Sequence, residues 1–130
     1  MSRTVRIILL LLWAAFVFWQ TLTPHPLPPP KWLRWDKLRH ASAYALLTLF
    51  AGLAFAGGRL RTWACAALAA VAFGGLLEWG QRLFVRNRRF DFGDLLANAA
   101  GALLVLGVVY LATRIGRRSP PAIETPEPPC

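Results

Sequence analysis

Apolar residues fill four long stretches of this chain, and polar residues crowd the intervals between them. The first stretch is unbroken from Ile7 to Trp19 and extends to Leu22. A membrane helix needs about 20 apolar residues, and this run supplies them. The small residues of a signal-cleavage site are missing from Trp19-Gln20-Thr21-Leu22-Thr23, so the expectation is an uncleaved span. Five prolines between Thr23 and Pro30 then forbid a continuous helix. Lys31-Trp32-Leu33-Arg34-Trp35 interleaves indoles with cations, a pattern suited to lipid headgroups.

The second helix is expected over Asp36 to Ala56. Asp36, His40, Tyr44, Thr48, Gly52 and Ala56 repeat by four and form one stripe, polar at its start and small at its end. Leu46, Leu47, Leu49, Phe50 and Leu53 lie opposite, fit for lipid or for packing. Gly57-Gly58 closes this helix, because glycine adopts the left-handed cap conformation. The third helix is expected over Trp63 to Phe84. Its stripe Ala66, Ala70, Gly74, Glu78, Arg82 is small enough for close approach of a neighbour and delivers Glu78 there. Gln81 falls on the same side as Glu78. The fourth helix begins at Asp91 or Asp94 and runs to about Thr113, with Asp91, Asp94, Asn98 and Gly101 on one face. Capping explains an aspartate at a helix start, but not Asn98 one turn deeper.

These patterns predict an all-α membrane protein: a four-transmembrane-helix bundle over residues 1–118, followed by a disordered proline-rich tail over 119–130. Composition agrees. Of the 130 residues, 56% are hydrophobic and only 16% charged, with a mean hydropathy of +0.44. A net charge of +9 would suggest nucleic acid in a soluble protein. Here the cations flank apolar runs, and zinc-finger or RNA-binding motifs are missing, so the expected partner is the bilayer. Cys65 lies inside an apolar run, and Cys130 lacks the residues a prenylation motif requires.

Short connections alternate the helices, so the first and third loops share one side. Asp36, Lys37 and His40 thereby approach Glu78, Gln81, Arg88, Asp91, Asp94 and Asn98. Three of the four acids outside the tail lie between Glu78 and Asp94, and charge near hydrocarbon must find partners. The centre of the site is expected where helices two, three and four meet, with helix one peripheral and Arg88 the main counter-charge. Lysine and arginine are nearly balanced between the two sides. The basic flank before helix one favours cytoplasmic termini and an outward-facing polar site.

Asp36-Lys37-Leu38-Arg39-His40 with Tyr44, Glu78-x-x-Gln81, and Arg88-x-x-Asp91-x-x-Asp94-Leu95-Leu96-Ala97-Asn98-x-x-Gly101 resemble the VanZ-like family over residues 5–113. Ala41 departs from the phenylalanine many members carry after the histidine. The resemblance implies a small multi-pass protein of a bacterial membrane, acting at the cell envelope and linked to glycopeptide resistance. It supplies no reaction, so three functions stay open. In a binding module, Lys37 and Arg88 meet the phosphate or carboxylate of an envelope lipid or amphiphilic antibiotic, beside Tyr44, Gln81, Asp91 and Asn98. In a membrane enzyme acting on a lipid-linked substrate, Asp36, His40, Glu78 and Asp94 are the candidate acids, bases or hard-metal ligands. In a scaffold, the same groups are glue between helices. The sequence names no cofactor.

Overall fold

The computed structural model describes residues 1–23, 27–28, 35–55, 57–84 and 91–116. Four helices account for nearly all of them: α1 (Arg3–Leu22), α2 (Asp36–Phe55), α3 (Leu60–Phe84) and α4 (Phe92–Gly116). All four are long and apolar enough to cross a membrane. At about 1.5 Å rise per residue, 20 residues reach about 30 Å, the depth of the hydrocarbon layer. Leu68, Leu76, Leu103, Leu104 and Leu111 are exposed on the outside, where hydrocarbon chains and not water suit them. The chain is a multi-pass membrane protein.

Local chemistry fixes the helix ends. The Ser2 hydroxyl accepts the Val5 N–H at 3.3 Å and caps α1. Gly57 (φ 48°) and Gly58 (φ 81°) turn the chain after α2. The Asp91 carboxylate accepts the Gly93 N–H at 2.7 Å and opens α4. Three helices outrun the apolar stretches that mark them. α1 starts at Arg3 and not Ile7, α3 starts at Leu60 and not Trp63, and α4 continues past Thr113 to Gly116. Backbone hydrogen bonding carries on after the apolar face ends. The proposed tail, residues 119–130, lies outside the described residues.

α2 is the central helix and packs on the other three; α1 meets α2 and α3 but not α4 among the described residues. Lys37 meets Asp94 and His40 meets Asn98, at separations of 57 and 58 residues. That near-constant offset makes α2 and α4 parallel neighbours with both N-terminal ends at one face. α3 runs against them, with Gly74 beside Tyr44 and Glu78 near His40. Close contact needs missing side chains. Gly101 sits on the backbone carbonyl of Ala41, and Gly52 is covered by the Trp63 ring.

α1 contributes one fully buried residue, Val17, to a core shared with Tyr44, Leu47, Ala70 and Leu77. It is nevertheless tied in by polar bonds. Trp13 Nε1 donates to the Ala43 carbonyl at 3.0 Å, and Arg6 Nη1 donates to the Leu53 carbonyl at 2.8 Å. In surroundings without water such donors need protein acceptors.

Candidate functional site

The first turn of α2 supplies the rim of the polar cluster. Asp36 is exposed, and its Oδ1 accepts from Arg39 Nη2 at 2.9 Å. Lys37 reaches across to α4, with Nζ 2.5 Å from both Asp91 Oδ2 and Asp94 Oδ1. Two of its three N–H donors are thus committed to carboxylates. The Asp91 carboxyl, which lies before the span of α4, is held below the usual carboxylate range by Lys37 first and the Gly93 N–H second. Asp36 and Asp94 also occupy the first turns of their helices, where the backbone dipole favours negative charge.

One turn deeper the cluster is dry. Glu78, Asp94 and Asn98 are buried, Asn98 with no exposed surface at all. His40 stands between them. Its Nδ1 is 3.1 Å from Asn98 Oδ1 and 4.0 Å from Glu78 Oε1, while its Nε2 is 3.6 Å from Asp94 Oδ2. Tyr44 lies below, buried against α3. Gly74 makes the room: a Cβ there would stand 2.7 Å from Asn98 Nδ2 and 2.7 Å from Tyr44 Cε1. Asn98 Nδ2 and the Thr48 hydroxyl, both buried, have no hydrogen-bond partner among the described residues. Burying such groups is costly and calls for a reason.

Four of the sequence candidates, His40, Glu78, Asp94 and Asn98, therefore converge at the junction of α2, α3 and α4, with Tyr44 beneath them. Asp36, Lys37 and Asp91 form the rim. Gln81 departs. It is buried, but its Nε2 donates to the Thr21 carbonyl at 2.6 Å, so it ties α3 to α1 and does not face the cluster. The Lys37 ammonium is engaged by Asp91 and Asp94, the pairing that the scaffold alternative expects. Arg88, the expected counter-charge, lies outside the described residues, and Lys37 holds that position beside Asp94. The sequence reading passed over Thr48 as a buried polar group, although it continues the run from Asp36 through His40 and Tyr44.

The donor set is also suited to a metal ion. One ligand atom each from Asp36, His40 and Asp94 lies within 4.8 Å of the other two. Two carboxylates and one imidazole suit a divalent ion. No family model matches the chain, and neither does any curated protein or any solved structure.

Proposed function

We propose that this protein is a recognition module of the bacterial cell envelope, similar to the VanZ-like family, that holds the polar head of a lipid or amphiphilic antibiotic. The head enters between the N-terminal ends of α2 and α4, and the apolar part lies along the outside of the bundle. In this reading both termini are cytoplasmic and the polar cluster faces outward.

The observation that carries the reading is Asn98, wholly buried with an amide nitrogen that has no partner among the described residues, beside His40 and beneath an exposed rim. Intramembrane polar groups of this kind line substrate or ligand sites. Scaffolding alone needs less. The Gly101–Ala41 and Gly52–Trp63 contacts and the Gln81–Thr21 and Trp13–Ala43 bonds already lock the helices pairwise. The binding reading is also favoured over an enzyme whose His40 acts as a base. Both ring nitrogens face protein side chains, so neither is turned toward a substrate.

Native mass spectrometry of the detergent-purified protein, exposed to an envelope lipid extract, tests this. The expected result is a retained lipid that is lost in folded Asp94→Asn. Equal retention by wild type and variant would overturn the assignment, and turnover of an added lipid-linked substrate would replace it with the enzyme reading.

A further inference from the structure

We propose that Asp36, His40 and Asp94 form a binding site for a divalent transition-metal ion at the shared N-terminal ends of α2 and α4. An amide oxygen only accepts hydrogen bonds, so in a neutral His40 ring the contact with Asn98 Oδ1 at 3.1 Å places the hydrogen on Nδ1. Nε2 then presents its lone pair toward Asp94 Oδ2, 3.6 Å away. A cation placed between these two atoms would be held by both. Lys37 is not that cation, because its ammonium sits on the other oxygen, Asp94 Oδ1.

The spacing fits. Zinc–ligand bonds of about 2.1 Å place neighbouring atoms of a tetrahedral site about 3.4 Å apart. The Nε2–Oδ2 separation of 3.6 Å is already there. One carboxylate oxygen of Asp36, an exposed side chain, lies within 4.8 Å of a ring nitrogen of His40 and of a carboxylate oxygen of Asp94. Asp36 and His40 stand four apart on one helix, which puts both on the same face.

The surroundings are those of a metal ligand set. A metal-bound histidine is oriented by a partner on its other ring nitrogen, and Asn98 occupies that place. Asn98 is independently unusual: it is fully buried, and its amide nitrogen lacks a partner among the described residues. Its orienting role gives that burial a reason. Lys37 holds Oδ1 of Asp94, leaving its Oδ2 turned to His40, and Arg39 pairs with Oδ1 of Asp36. Three protein ligands leave at least one coordination position open at the rim. The lipid or antibiotic head proposed above completes it through a phosphate or carboxylate oxygen. That last step alone rests on the binding reading; the ion site does not.

Full-length protein, stripped with a chelator in detergent and free of added lipid, is titrated with Mn2+ and with Zn2+. Equilibrium binding and thermal unfolding are both read. The expected result is one ion per chain and a raised Tm, since a ligand of the native state stabilises it. Asp36→Asn and His40→Ala should each weaken binding at least as much as the roughly tenfold that loss of an outer-shell partner costs. Asp36 is exposed, so its variant keeps the test valid if His40→Ala fails to fold. No saturable binding of either ion overturns the proposal. Equal weakening by Asp36→Asn and Asp91→Asn also overturns it, because general attraction to acids then suffices. Loss of lipid retention with the ion still bound would reject the headgroup reading and keep the metal site.

Discussion

Gly101 on α4 rests on the carbonyl oxygen of Ala41 on α2, and no methyl group fits between them. Gly101→Ala therefore forces the two parallel helices apart, at a cost of about 1–3 kcal/mol. Gly107, further along α4, has open space where a Cβ would go. Gly107→Ala should be neutral or gain up to about 1 kcal/mol of helix propensity. Unfolding of both variants in mixed detergent measures the difference. Similar stabilities would mean that the α2–α4 contact does not hold the bundle.

Lys37 and Arg39 both pair with aspartates, yet they should respond differently to removal. Arg39 pairs with exposed Asp36, and surface pairs contribute about 0–1 kcal/mol. Lys37 neutralises buried Asp94. Lys37→Met should therefore destabilise the protein more than Arg39→Met. Adding Asp94→Asn to Lys37→Met should recover part of the loss, which a double-mutant cycle reads as coupling. Independent, additive effects would argue against the bridge.

Gln81 separates stability from binding. Its bond to the Thr21 carbonyl is a helix tie, so Gln81→Leu should cost about 0.6–2 kcal/mol. Metal and lipid binding should persist in the same variant. A variant that stays stable but loses its ligand would return Gln81 to the site.

Topology is testable with single cysteines in a background lacking Cys65 and Cys130. Leu27→Cys and Phe92→Cys lie at the end that carries Asp36 and Asp91, while Arg59→Cys lies at the opposite end. The first two should react together with an impermeant reagent on intact cells, and the third only after permeabilisation. Reaction of Arg59→Cys alone keeps the bundle and reverses the proposed orientation. Labelling of only one of the first pair contradicts the shared face.

The four spans were legible because membrane helices announce themselves by length and apolarity. Part of the site was legible too, since short connections force loops one and three together. Finer geometry was not. The stripe Ala66, Ala70, Gly74, Glu78, Arg82 assumed strict steps of four, which gain about 40° each against the 3.6-residue turn. The buried positions of α3 include Ala70, Gly74 and Glu78 of that stripe, but the others, Trp63, Ala67, Leu77 and Gln81, join Ala70 and Gly74 in alternating steps of four and three, and Arg82 is exposed. The same drift turns Gln81 toward α1. The partner of Asp94 was hidden for another reason. Arg88 was the expected counter-charge and lies outside the described residues; that Lys37 also reaches Asp94 follows from the parallel register of α2 and α4, which charge alone does not reveal.

The parallel pairing of α2 and α4 has a consequence for biosynthesis. α3 lies between them in the chain, so α2 emerges and inserts before its main neighbour has been made. Until then Lys37 and His40 stay at the water boundary, because Asp91, Asp94 and Asn98 do not yet exist. Helix association follows insertion, and here the closing event waits for α4. A chain terminated after Phe84 would carry His40 and Glu78 but neither Asp94 nor Asn98. Such a fragment would leave α2 with an uncovered polar flank inside the bilayer, the kind of surface that membrane quality-control proteases can distinguish from a finished protein.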